Sequence, residues 1–373
     1  MTNELMTINT LATTENSHII DKDKNGKEVI IPIIRTISQY SSLFPTQSWE
    51  ALTPRDMLWD GVGKDVSHCL DTESVFELAG LNYGVVKVPT YINRNDFIGN
   101  KALTGFDVVA NGSELIKIPV YAIVRDDNIT FLGEGRERLN PLANEKTKQL
   151  CEALFQLGFR YENAGVFDEG KVTYVSMKWK GAVLSGEKMD YYVVIVNSFN
   201  GTKPFGVYIT PVRVSCKNTL NLAIKNAERF WQIRHTRTAE ARIREVQESL
   251  MAFDHYLKGL DTEIDRMKML TISDDKVKSF FETLFPIENG MTQRLIDSAL
   301  KKREELAYRY LNAPDLDGME QSGFRLMCAI TDYADHTAPL KNTATWKENR
   351  FLDNMSGKNE LINKTQMFIN SQF

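Results

Sequence analysis

Between residues 171 and 214 the chain falls into three apolar or alternating blocks: KVTYVSMKWK (171–180), YYVVIVNS (191–198) and FGVYITPVRV (205–214). Gly- and Asn-rich links separate them, and Asn200-Gly201 is a strong hairpin signal. Ahead of them, 145–157 puts Leu150, Leu154 and Leu157 on one side of a helix. After them, Leu220, Ile224, Ala227 and Trp231 recur at helical spacing. Helix, three antiparallel strands, helix is the order of an α+β fold with an antiparallel sheet core. In the first strand Tyr174, Lys178 and Lys180 share one face, while Val175, Met177 and Trp179 share the other. One face suits a core and the other suits a polyanion.

The flanks carry weaker patterns. Residues 1–30 are largely polar with no periodic apolar face, which predicts a mobile N-terminal arm. EVIIPIIRTI then supplies a β-rich run that Pro32 confines to an edge or splits. A strand is expected over 83–91, and a hairpin over 116–124 and 129–132 turning at Asp126-Asp127-Asn128. Past Arg237 the chain reads as a long-helix C-terminal half. Ile243, Val246, Leu250, Phe253, Leu257, Leu260, Ile264 and Met267 keep an unbroken heptad spacing. That seam needs either an intramolecular partner or a second subunit. The intramolecular candidate is 293–311, with Leu295, Ala299, Leu306 and Tyr310 on one side. The resulting division is an arm (1–30), an α+β core (31–235) and a mainly helical region (236–373).

Composition narrows the class. At 373 residues and 42% hydrophobic content the chain can bury a sizeable core. Cys69, Cys151, Cys216 and Cys328 lie far apart with no CxxC pair, so they read as reduced, mostly buried thiols rather than zinc ligands or a disulfide framework. No basic n-region precedes an apolar run, and no uncharged apolar stretch reaches about 18 residues, so a soluble cytoplasmic protein without membrane contact is expected. Gly61-Val62-Gly63-Lys64 lacks the phosphate-wrapping spacing, the five histidines form no ligand pair, and no nucleophile elbow is present. No metal or cofactor is indicated, and the balance tips from catalysis towards binding.

Charge points to the class of partner. Residues 200–245 hold nine Lys/Arg against three acids, an excess of about six in a chain whose formal charge is −4. Lys217, Asn221, Lys225 and Arg229 repeat every fourth residue along one stripe, where a solvated face would interleave Glu with Lys. Asn218 and Thr219 sit at the expected helix start, a natural phosphate seat beside Arg213 and Lys217. Arg234 and Arg237 flank His235 and should keep its imidazole neutral, free either to meet a base or phosphate or to cap the helix end. Cys216 reads as a buried small hydrophobe or as a thiol activated by its basic neighbours. The opposing reading of the whole strip is that the acidic N-terminal part of the same subunit covers it as an internal counter-charge.

PVRVSCKNTLNLA followed by IRHT, together with LNYGVVKVPTY, YENAG (161–165) and TDYADHT (331–337), resembles the uncharacterised phage/plasmid-like protein family, a domain of unknown function common in phages, plasmids and bacteria. The likeness covers roughly 45–370. It departs at 215–219, where SCKNT stands in place of the usual VCQNT and adds a positive charge. The resemblance implies a mobile genetic element as source and nucleic-acid handling as function, and brings no catalytic residues. The element order is also similar to the core of Rad52-type single-strand annealing proteins, an analogy of order alone. It implies a groove in which Lys178, Lys180, Arg213, Lys217, Lys225 and Arg229 hold a single strand, with Tyr174 or Tyr208 as stacking face. The expected partners are nucleic acid, single-stranded DNA foremost, and further copies of the chain, or alternatively an acidic host or phage protein.

Overall fold

The computed structural model describes residues 18–40, 62–93, 115–201, 203–215, 219, 220, 222, 230–233, 253–337, 345–355 and 357–373. The first half of the chain runs β1 (His18–Lys22), β2 (Glu28–Pro32), α1 (Ile37–Tyr40), β3 (Lys64–Asp65), α2 (Thr72–Ala79), β4 (Val85–Asn93), β5 (Leu115–Arg125), β6 (Phe131–Gly135), α3 (Asn144–Gln156) and β7 (Arg160–Phe167). Then come β8 (Val172–Leu184), β9 (Glu187–Ser198), β10 (Phe205–Arg213), β11 (Phe230–Ile233), α4 (Phe253–Met269), α5 (Asp274–Leu284), α6 (Gln293–Asn312), α7 (Gly323–His336), α8 (Trp346–Met355) and α9 (Glu360–Asn370). The fold is α+β, with antiparallel sheets and a helical C-terminal region. Two compact units emerge, one of residues 1–53, 267–333 and 364–373, the other of 54–266 and 334–363. The sequence pattern alone places the cuts after 30 and 235.

The larger unit is built on a six-stranded antiparallel sheet in the order β11-β10-β9-β8-β7-β3. Both of its faces are covered. On one, the opposed residues Thr173 and Asn197 reach the start of α3: the Thr173 hydroxyl donates to Asn144 Oδ1 (3.3 Å) and Asn197 Nδ2 donates to the Leu142 carbonyl (2.8 Å). On the other, Tyr174, Tyr192, Val194 and Tyr208 pack with Phe351, Leu352 and Met355 of α8. The face expected to meet a polyanion is therefore a second core layer. YYVVIV, apolar without interruption, is the pattern of a strand covered on both sides, whereas alternation within β8 alone cannot tell a solvated face from a second packed one.

The chain after β10 also differs from expectation. Thr219 bridges back to Val212, and Phe230–Ile233 pairs antiparallel with β10 as strand β11, in place of a helix expected through Trp231. The edge of β10 presents backbone groups that need partners. Leu220 and Leu222 are both buried and neither is helical.

A smaller sheet, β4-β5-β6, belongs to the same unit and turns between β5 and β6 at Asp126-Asp127-Asn128 as expected. Gly133 lets it approach closely: a Cβ there would lie 2.6 Å from the Cα of Asn200. Tyr83, Ile123, Leu132 and Phe199 close the contact. The Tyr83 hydroxyl donates to the Gly170 carbonyl (2.7 Å), and Arg125 stacks over the Tyr83 ring at 3.9 Å.

In the other unit, residues 18–32 form a hairpin, so the expected arm is structured from His18 onward. Its turn is made by Asp23, whose Oδ1 accepts from the amides of Asn25 (2.8 Å) and Lys27 (2.9 Å). Arg303 donates to the Phe285 carbonyl and to the Tyr40 hydroxyl, joining α6 to α1 and to the end of α5. Of the heptad positions, Leu257, Leu260 and Ile264 of the larger unit and Met267 of the smaller are buried, while Ile243, Val246 and Leu250 lie outside the described residues. Along α6, Ala299, Leu306 and Tyr310 are buried, but Leu295, expected on the same packing side, is 54% exposed. No described helix is long and apolar enough to cross a membrane. Cys69, Cys151 and Cys328 are buried.

Candidate functional site

Of the groove residues expected from the sequence, Tyr174 is fully buried, and its hydroxyl donates to the Val62 carbonyl (2.7 Å) and to Asn163 Oδ1. Burial pushes that phenol far above its ordinary range, so it stays a neutral donor. Tyr208 is 2% exposed, with Gln232 Nε2 donating to its hydroxyl and the Phe230 ring 6.2 Å away. Neither ring offers a free face for a base. Both are corrected from stacking residues to core residues, because α8 and β11 cover the positions that strand alternation left open.

The cations of the sheet carry local counter-charges. Arg213 is 5% exposed, and its Nε donates to Glu187 Oε2 at 2.7 Å. Register explains the pair: Arg213 lies opposite Met189 on β9, two residues from Glu187. Lys178 pairs with Asp190 at 2.7 Å and Lys203 with Asp353 at 3.2 Å. These three cations are neutralised within the subunit, by acids of β9 and α8 and not of the N-terminal part. Of Lys180 only the backbone, in β8, is described. Lys217, Asn218, Lys225, Arg229, Arg234, His235 and Arg237 lie outside the described residues, as does Cys216.

Thr219 is where the structure brings distant chain together. It is 1% exposed, so it is no open phosphate seat. Its amide donates to Asp335 Oδ2 at 2.6 Å and its hydroxyl to the same carboxylate at 2.8 and 3.0 Å. Asn354 Nδ2 of α8 donates to Asp335 Oδ1 as well. The motif at 215–219 is thereby fastened to the motif at 331–337 across 116 residues of chain. Desolvation pushes the Asp335 pKa up to about 6, although the His336 charge, the Thr219 bonds and Arg350 pull the other way. Sequence reasoning misses Asp335 and Asn354 as site residues. Thr219 and the Asp335 segment each stand out as motif residues, but a partnership at that separation leaves no local pattern.

YENAG is explained by packing too. Tyr161 bonds Thr72 through their hydroxyls (2.6 Å), Asn163 accepts from Tyr174, and Gly165 gives room to Gly63, whose Cα lies 3.1 Å from where a Cβ would stand. Gly63, with φ +78°, bends the chain close against the Tyr174 hydroxyl, so the described part of the GxGK fragment, Val62 to Lys64, packs on the sheet, and Gly61 lies outside the described residues. Among the described residues no three His, Cys, Asp or Glu side chains gather as ligands would round a metal ion.

No curated protein and no solved structure matches the chain. Residues 133–355, which span α3, the strands β7 to β11, Thr219, Asp335 and Asn354, match the Domain of unknown function (DUF932). That match takes in more than half of the chain, and the protein belongs to this family.

Proposed function

We propose that the protein binds nucleic acid, single-stranded DNA foremost, through cations outside the buried sheet, with the sheet as scaffold. The observation that carries this reading is the gathering of positive charge at 200–245 in an acidic chain. Pairing of Lys203 and Arg213 with Asp353 and Glu187 leaves seven cations against three acids in that stretch, an excess of about four. Phosphates supply the opposing charge, and their release of counterions makes such binding steeply salt-dependent. Sources among mobile genetic elements, where nucleic-acid handling is common, belong to the same reading.

The test is size-exclusion chromatography with light scattering, with and without a labelled oligothymidylate, at low salt and at about 0.3 M. Co-elution that disappears at the higher salt supports the reading. Indifference of the protein to the oligonucleotide at both salts overturns it in favour of an acidic protein partner. Lys217→Glu with Arg229→Glu should weaken co-elution if the basic stretch meets the strand. The same run measures the oligomeric state, for which the described heptad positions offer no exposed seam.

A further inference from the structure

The small sheet carries a surface of a different kind. Lys117 on β5 lies directly opposite Tyr91 on β4, and Tyr121 lies opposite Pro89. Directly opposed residues share a face. Lys117 Nζ stands 5.7 Å from the centre of the Tyr121 ring, so these two also share it. Lys87 Nζ lies 4.5 Å over the same ring and donates to the carbonyls of Glu137 (2.5 Å) and Leu139 (3.0 Å). These two hydrogen bonds hold the loop after β6 against Lys87, with Arg138 lying between the two bonded residues in sequence.

Towards Ile123, which lies opposite Lys87 and packs with Tyr83 and Phe199, this face belongs to the core; at its other end, from Tyr121 to Tyr91, it has the features of a single-strand platform. Tyr91 is 44% exposed, and Arg136 and Arg138 are exposed. Lys117, Arg136 and Arg138 have no ion-pair partner among the described residues, in contrast to Lys178, Lys203 and Arg213. Glu137 is the acid within the loop; Glu134, opposite Ala122, lies on the other face. An open aromatic ring next to unpaired cations suits an unstacked base with its phosphates, and a duplex would leave the ring unused.

We infer that the face of β4 and β5 carrying Tyr91, Lys117 and Tyr121, with the Arg136–Arg138 loop, binds single-stranded nucleic acid. Phosphates meet Lys117, Arg136 and Arg138, and a base stacks on Tyr91. This rests on the proposed nucleic-acid function and names a site for it outside 200–245.

The experiment is fluorescence anisotropy of a labelled oligothymidylate against the full chain between about 0.05 and about 0.3 M salt. Arg136→Glu with Arg138→Glu should weaken binding more than tenfold at low salt and reduce the slope of log affinity against log salt by ~0.7 for each phosphate that is no longer neutralised. Tyr91→Ala should weaken it about tenfold and Tyr91→Phe should restore it. Lys27→Glu, half that charge change on the β1–β2 turn, should do little. If the wild type binds and the Arg136, Arg138 and Tyr91 variants bind equally well, this site is wrong while the functional proposal stands. If Lys27→Glu weakens binding as much per charge, the effect is net charge and the site is also wrong. Competition by polyglutamate together with an unaffected Tyr91→Ala would assign the surface to an acidic peptide and overturn the inference. A wild type that ignores the oligonucleotide defeats both proposals.

Discussion

The two sheets of the larger unit use cations and tyrosines in opposite ways. On β8 and β10, Tyr174 and Tyr208 are sealed under α8 and β11, and Lys178 and Arg213 are paired with Asp190 and Glu187. On β4 and β5, Tyr91 is open and Lys117 pairs with no acid among the described residues. The same residue types at the same strand spacing serve packing in one place and leave a surface available in the other. What separates them is the second layer: β8 and β9 have helices on both faces, and a cation at the rim of a double-covered sheet needs its own acid because the low-dielectric surroundings punish a lone charge. An ion-pair partner supplied by register thus marks a cation held by the fold, and a solvated cation without one is available to a ligand.

That contrast can be broken by mutation, most severely in the covered layer. Phe351→Ala, which removes the ring 4.7 Å from Tyr174, should cost about 3–5 kcal/mol in urea unfolding. A neutral result would mean that α8 does not seal the sheet. Arg213→Met should cost about 3 kcal/mol by removing the cation 2.7 Å from the largely buried Glu187 carboxylate, and adding Glu187→Leu should recover most of it. If the single change left stability intact and abolished oligonucleotide binding instead, Arg213 would be a ligand contact after all.

Asp335 sharpens the comparison through pH. Its pKa is about 6 in the fold against an ordinary 3.8, so the folded state holds more protons between those values. Its contribution is therefore full below about pH 4 and is lost as pH rises through about 6. Asp335→Asn removes that slope. Wild-type stability relative to the variant should fall by up to about 3 kcal/mol from pH 4 to 7, and a gap that widens instead would contradict the buried, neutral-group environment. Gly63→Ala should cost about 2 kcal/mol, since a Cβ at φ +78° would meet the Tyr174 hydroxyl and the Ala164 carbonyl. Smallest of all, Arg136→Glu with Arg138→Glu should move stability by less than about 0.5 kcal/mol, as exposed positions do.

Much of the fold is legible in the sequence because local chemistry dictates it. Asn200-Gly201 and Asp126-Asp127-Asn128 turn where turn chemistry requires, and the three central strands lie within a few residues of their apolar blocks. What fails is any inference that needs a third element. Period-two alternation places Tyr174 on a face but cannot say that Phe351, far along the chain, covers it. Helical spacing through Leu220 and Trp231 loses to the demand of the β10 edge for a partner. The polar 18–30 segment hides a hairpin whose signal, Asp23 to Gly26, resembles the composition of a mobile arm. The surface on the small sheet escapes any count of charge along one continuous stretch. Lys87, Tyr91 and Lys117 are separated by up to tens of residues and come onto one face only through strand pairing, and Lys87 ties the loop of Arg136 and Arg138 to it through the Glu137 and Leu139 carbonyls.

The most direct test is a lysine-acetylation footprint of the full chain, read by mass spectrometry with and without oligothymidylate at low salt. Lys117 should be protected by the oligonucleotide while Lys178 and Lys203, already held by Asp190 and Asp353, react at an unchanged rate. Protection of Lys178 with Lys117 unchanged would contradict the assignment and return the binding surface to the central sheet.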